Sequence, residues 1–238
     1  MGAKEIIEKK KNKEILKYEE IEYMVNSYVK EKISDKTMSE FIMLIYNDGL
    51  SLTETYYLTD VMIKSGDVID LSKAKKPCVD KHSTGGVGDK VTLIVSAICA
   101  SAGVCVPKMS GRGLGLTGGT VDKLESITGY RLKLSKKEFI DALNKVGCAV
   151  ISQSEKIAVA DKKIYALRDI TGTVANKSLI ASSIMNTMAQ AIIDTINRLA
   201  PFQARNTAKT NATAPATGEL VASIMAGNVM AASVIYGT

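Results

Sequence analysis

Apolar residues recur on one helical face twice within the first 65 positions: Ile21, Met24, Val25 and Tyr28 in one segment, then Phe41, Leu44 and Ile45 in the next. The second segment is predicted to stop at Asp48-Gly49. Ser51 followed by Glu54 has capping-box spacing and opens a third helix that ends near Ser65-Gly66. Amphipathic helices with short connections predict a small all-helical domain over residues 1–66, its apolar stripes packed as core. The texture changes near Asp67, where short apolar runs begin to alternate with glycine-rich loops. Val91 to Ala102, apolar and small, predicts a buried helix, and Val104-Cys105-Val106 a short buried strand. Thr120 to Ile127 reads as a helix start. Ser135 with Glu138 is a second capping box, for a helix reaching about Val146, and Cys148 to Ile151 fits a strand. This alternation predicts an α/β unit over residues 67–159.

Beyond it the pattern weakens. Ile164 to Arg168 is too short to assign to helix or strand. Ser178 to Leu199 has no Gly or Pro and predicts one helix, so residues 160–199 are expected to join the helical domain. Asn206–Gly218 is rich in Ala, Thr and Asn and reads as linker, and residues 200–238 as an atypical, disordered tail. Leu220 to Tyr236 is apolar but includes Asn228, and a poorly packed tail is the expectation rather than a membrane anchor.

Composition narrows the class. With 46% hydrophobic and 24% charged residues in 238, the chain can bury a sizeable core. The net charge of +6 gathers in Lys9-Lys10-Lys11, Lys75-Lys76 and Lys136-Lys137, which read as solvated surface. Aromatic residues are 5%, with no Trp, so no stacking platform for nucleic acid is visible. Cys78, Cys99, Cys105 and Cys148 form no C-x-x-C pair, which argues against a zinc site. With no secretory segment near Met1, a reducing cytoplasm is expected.

Two stretches carry chemistry. In Lys81-His82-Ser83-Thr84-Gly85-Gly86-Val87-Gly88-Asp89 a cation and hydroxyls lead into glycines and then a helix. Glycines let backbone N–H groups approach an anion, and the helix adds its positive end. Lys108-Met109-Ser110-Gly111-Arg112-Gly113 through Thr120 repeats the scheme, with Lys and Ser ahead of glycines and a helix beyond. Gly113, Gly115 and Gly118 also fit the dinucleotide pattern G-x-G-x-x-G, but no strand ending in an acidic residue follows about 20 positions on. Two loops converging on one phosphate explain more of the sequence. His82, the only histidine, lies inside the first loop, where it can donate a proton or hydrogen bond to a leaving group. Arg168, in Tyr165-Ala166-Leu167-Arg168-Asp169, fits either a functional cation or a surface pair with Asp169.

Asp80–Asp89, Lys108–Glu125, Ala160–Thr171 and Leu179–Met185 together resemble the thymidine and pyrimidine-nucleoside phosphorylases, over residues 4–185. The resemblance implies a small helical domain and a larger α/β domain, with substrates bound between them and subunits paired through the helical domain. It implies a pentosyltransferase in which inorganic phosphate attacks C1′ of thymidine, deoxyuridine or uridine and releases the base. Phosphate would fall to Lys81, Ser83, Thr92, Lys108, Met109, Ser110 and Thr120. Arg168 and Ser183 would hold the pyrimidine, with His82 near its carbonyl and Arg168 sharing in catalysis. No organic cofactor is implied, but a potassium site at Gly88 is.

Four positions or stretches depart from that pattern. Leu116 stands where the family carries His, and Lys90 where close relatives carry Thr beside potassium. Thr187 replaces a base-binding Lys, a loss worth roughly 3 kcal/mol of transition-state stabilisation, or about a hundredfold in rate. Residues 186–238 resemble none of the family's remaining sheet. The sequence therefore also fits a catalytically inactive remnant or a dimerisation module, and more distantly a phosphoribosyl-transferring relative.

Overall fold

The computed structural model of the chain describes residues 2–67, 69–82, 89–112, 118–154 and 156–186. They fall into two compact units. The first holds the described residues of Met1–Val68 and Ser154–Asn186, the second those of Ile69–Gln153.

The first unit is all helical: α1 (Ala3–Lys11), α2 (Tyr18–Val29), α3 (Asp35–Asp48), α4 (Leu52–Lys64) and α8 (Val159–Thr171), followed by helical residues 177–186. Its core is the expected apolar stripes, with Ile21, Met24, Phe41, Ile45 and Leu58 meeting Ile164 and Leu167 of α8. Helix α4 starts as its capping box dictates: Ser51 Oγ accepts from Glu54 N–H at 3.2 Å, and Glu54 accepts from Ser51 N–H at 2.8 Å. Glu54 also accepts from Leu16 N–H at 3.0 Å and Lys10 Nζ at 3.2 Å. Burial opposes its ionisation. The hydrogen bonds from Leu16 and Ser51 and the Lys10 charge nevertheless hold the carboxyl below the usual range. Lys10 is therefore buried, unlike the solvated surface its lysine run predicts, because its partner lies 44 residues away. The segment around Ile164 settles as helix, its first turn tied by Ala160 N–H donating to Ser65 Oγ at 3.1 Å.

The second unit holds α5 (Val91–Ser101), β1 (Val106–Ser110), α6 (Thr120–Glu125), α7 (Lys136–Val146) and β2 (Cys148–Ser152). Strands β1 and β2 pair in parallel, from Val106 with Cys148 to Ser110 with Ser152. Cys78 bridges Cys105 in parallel on the other side of β1. The expected strand at 104–106 instead runs later, placing Lys108, Met109 and Ser110 inside β1. On the Cys78 side the ladder goes from Cys105 N–H to Pro77 O and from Val79 N–H to Cys105 O, both 2.8 Å. Pro107 has no N–H for the next rung, and Lys81 N–H turns to Asp80 Oδ1 instead. The chain thus leaves the sheet at the start of the first glycine loop. Helix α7 begins on the second capping box and ends at Gly147, whose φ of +88° lets the chain turn straight into β2.

Helix α5 differs from its expected burial. Its inward positions are polar, Thr92 and Ser96, while Val91, Ile94 and Ile98 are 57%, 62% and 62% exposed. Thr92 turns inward because its backbone and hydroxyl both serve Asp89, which fixes the rotation of the helix. No helix among the described residues is long and apolar enough to cross a membrane.

Candidate functional site

In the second unit the chain around Asp80 and Lys81 meets β1 through the Asp80 carboxylate, and the starts of α5 and α6 through that of Asp89. Asp80 leaves the sheet beside β1 with its side chain 0% exposed, and Lys108, in β1, is 2% exposed. Lys108 Nζ lies 3.3 Å from each Asp80 oxygen. Burial pushes the Asp80 carboxyl up to about 6, against the pull of Lys108 and of the Lys81 N–H. A buried pair of this kind costs desolvation, and it fixes where Lys108 sits.

Asp89 gathers the other groups. Lys81 Nζ lies 2.9 Å from Asp89 Oδ1, which also accepts from Thr92 N–H at 3.0 Å. The hydroxyl of Thr92 donates to Asp89 Oδ2, and Thr120 Oγ1 reaches the same oxygen at 3.5 Å. Lys123 Nζ donates to the Asp89 carbonyl at 3.4 Å. Burial works against ionisation of Asp89, but the Thr92 hydroxyl and Lys81 hold its carboxyl down at about 2. Lys81, Thr92 and Thr120, three residues expected at a phosphate, thus converge on one anionic group from three places in the chain.

Ser110 and Met109 are buried at the carboxyl end of β1, where Ser110 O accepts from Gln153 N–H at 3.4 Å. Ligands in parallel α/β sheets bind outside this end of the strands. His82 is half-buried in the described part of the first loop. Ser83 and Gly88, like Leu116 and Thr187, lie outside the described residues.

Arg168 and Ser183 belong to the helical unit. Arg168 is 1% exposed, and its guanidinium donates to the carbonyls of Val174 at 2.8 Å, Leu179 at 3.2 Å and Thr173 at 3.5 Å. It lies over the Tyr165 ring, 5.6 Å from the centroid. Burial lowers its pKa, opposed by the nearby Asp161 charge. The surface pair with Asp169, left open by the sequence, is not what this guanidinium makes. Ser183 is half-buried, next to Ser182, whose hydroxyl is 3.1 Å from Thr59 Oγ1.

Sequence reasoning did not single out Asp80, Asp89 or the Arg112 cluster. Arg112 holds Glu125 with both terminal nitrogens, at 2.7 and 2.8 Å, and Asp122 at 2.9 Å, tying the second loop to α6. The available signal was position: Asp80 and Asp89 bracket the first loop, and a carboxylate just ahead of a helix caps it.

A model of the glycosyl transferase family, a/b domain, matches residues 75–223, and one of the glycosyl transferase family, helical bundle domain, matches residues 4–66. The chain is 50% identical over 196 residues to a pyrimidine-nucleoside phosphorylase of Geobacillus stearothermophilus, covering 82% of this chain and 45% of that protein. It is equally similar, over the same shares, to the pyrimidine-nucleoside phosphorylase of Staphylococcus haemolyticus (strain JCSC1435). The chain therefore spans about half the length of the curated relatives it matches, 45% in both cases. A crystal structure of anthranilate phosphoribosyltransferase (TrpD) from Thermus thermophilus superposes with a TM-score of 0.64 at 16% identity. The match covers 82% of this chain and 63% of that one, a likeness of fold alone.

Proposed function

We propose that this chain, which belongs to the glycosyl transferase family built from a helical bundle domain and an a/b domain, carries the phosphate-binding half of a pyrimidine-nucleoside phosphorylase. The observation that carries the reading is the convergence of Lys81, Thr92 and Thr120 on one carboxylate, with Lys108 fixed by Asp80 beside Lys81. That is a set of anion donors held together by the fold, which is what positioning a nucleophilic phosphate requires.

In the proposed reaction, a phosphate oxygen forms a bond to C1′ of thymidine, deoxyuridine or uridine as the C1′–N1 bond breaks. The electron pair leaves with the base, which takes up a proton, and a pentose 1-phosphate remains. The sugar becomes cation-like and the base anion-like in the transition state. Lys81, Lys108, Ser110 and Thr120, with Ser83 of the first loop, Thr92 of α5 and Met109 of β1, hold the phosphate against the sugar. His82 stabilises charge on the departing base. The family resemblance also gives the base to Arg168 and Ser183, but Arg168 is 1% exposed and its guanidinium donates to the Thr173, Val174 and Leu179 carbonyls, so its part is to hold the segment that carries Ser183. No covalent enzyme intermediate and no organic cofactor enter. A potassium ion would be held at Gly88, where Lys90, exposed at the start of α5, brings a cation in place of the side-chain oxygen of the family's site.

The proposal includes a homodimer paired through the helical unit and a cytoplasmic location. The free thiols of Cys78, Cys99, Cys105 and Cys148 suit a reducing compartment. Thymine released from thymidine on adding phosphate, followed by chromatography, tests the activity. Slow, phosphate-dependent release that His82→Ala abolishes is expected, and release no faster than in His82→Ala refutes catalysis. A second reading, an inactive remnant or dimerisation module, is favoured by Thr187, which stands where the family carries a base-binding Lys. It requires self-association without saturable phosphate binding.

A further inference from the structure

The groups expected to bind phosphate are already engaged. Thr92 carries one hydroxyl proton and gives it to Asp89, and Thr120 Oγ1 reaches the same oxygen. Lys81 Nζ meets the other oxygen at 2.9 Å. A hydroxyl donates to one acceptor at a time, so a phosphate that takes up the Thr92 or Thr120 proton must take it from Asp89, whereas Lys81, with three ammonium protons, is shared between the two anions. We propose that Asp89 is a built-in stand-in anion, which keeps Lys81, Thr92 and Thr120 converged before phosphate arrives, and which phosphate displaces from Thr120 and competes with for Lys81 on binding. The inference rests on the reading of this site as a phosphate cradle.

The geometry separates this role from plain scaffolding. Asp89 Oδ1 accepts from Thr92 N–H at 3.0 Å, so it also caps the start of α5. Asn and Ser both preserve such a cap while removing the negative charge. If Asp89 served only to hold the loop, its neutral variants would loosen the donors and weaken phosphate binding. As a competing anion, its neutral variants free the donors and remove a like charge from beside the ligand. The two roles differ in the sign of the effect.

The test is calorimetric titration of inorganic phosphate into the full chain, for the unaltered protein, Asp89→Asn and Asp89→Ser, with folding checked by circular dichroism. The expected result is phosphate bound about tenfold more tightly by both variants, the size of removing one close like charge. Unchanged or weaker binding by folded variants overturns the inference while leaving the phosphate cradle in place. No phosphate binding by the unaltered protein or by either variant overturns the cradle and the inference together. Should both variants fail to fold, the carboxyl-carbon NMR signal of Asp89 in the unaltered protein decides. It is expected to shift as phosphate saturates, and a signal that stays put under saturating phosphate overturns the proposal.

Discussion

Replacing Lys108 by Met removes the cation bonded to a carboxylate with no exposed surface. Asp80 is then left with one escape, the uptake of a proton. In the unaltered protein its carboxyl titrates at about 6, well above its unfolded value, so the folded chain binds the extra proton and stability falls as pH rises from about 4 to 6. Without Lys108 the carboxyl stays protonated to higher pH, and holding that proton costs about 1.4 kcal/mol for each pH unit above 6. The loss in Lys108→Met is therefore bounded at about 3 kcal/mol at pH 8 and approaches zero at pH 5. Urea unfolding followed by circular dichroism at both pH values measures it, with Asp80→Asn closing a double-mutant cycle. In the Asp80→Asn background, the cost of Lys108→Met is expected to be the same at both values. A loss equal at pH 5 and pH 8 in the parent background refutes the idea that this pair is held by an ionised, buried Asp80.

Two further outcomes follow from the packing. Gly147→Ala puts a methyl 2.9 Å from Ala100 Cβ at a φ of +88°, and should cost roughly 2–4 kcal/mol, read as a lower urea midpoint. Arg168→Met strips a buried donor from the carbonyls of Thr173, Val174 and Leu179, and should destabilise the chain by about 3 kcal/mol or more in thermal unfolding, with Arg168→Lys failing to restore it. Activity lost in Arg168 variants must therefore be compared with folded fraction before it is assigned to catalysis.

The helical unit was legible because its signals are local. Ser51 with Glu54 is a capping box in sequence and in structure, as Ser135 with Glu138 is in the second unit, and the Ile21 and Phe41 stripes are core. Helix α1 was less visible, for its lysine run looks solvated and only the distant Glu54 makes Lys10 an interior residue. Ile164–Arg168 was ambiguous since five residues do not distinguish helix from strand. Apolarity misplaced the faces of α5, whose rotation is set by a single threonine bonded to Asp89 rather than by hydrophobic content. In the candidate site, lysines, serines and glycines announced an anion, and the residue matches extend to both family domains. The two aspartates that arrange those lysines went unread because the pattern of an anion site draws attention to positive charge, whereas negative charge is what organises this cradle.

The chain departs from the helical bundle and returns to it at a single doorway. Asp67 N–H donates to Lys156 O at 2.6 Å, and Gly66 is so close that a Cβ there would sit 2.8 Å from the same oxygen. Everything between is an insert whose ends are already clasped, so closing that long excursion demands little additional ordering from the bundle. The helices on either side of the port, α4 and α8, are therefore held in register by contacts of the bundle itself, whatever the length of chain between them.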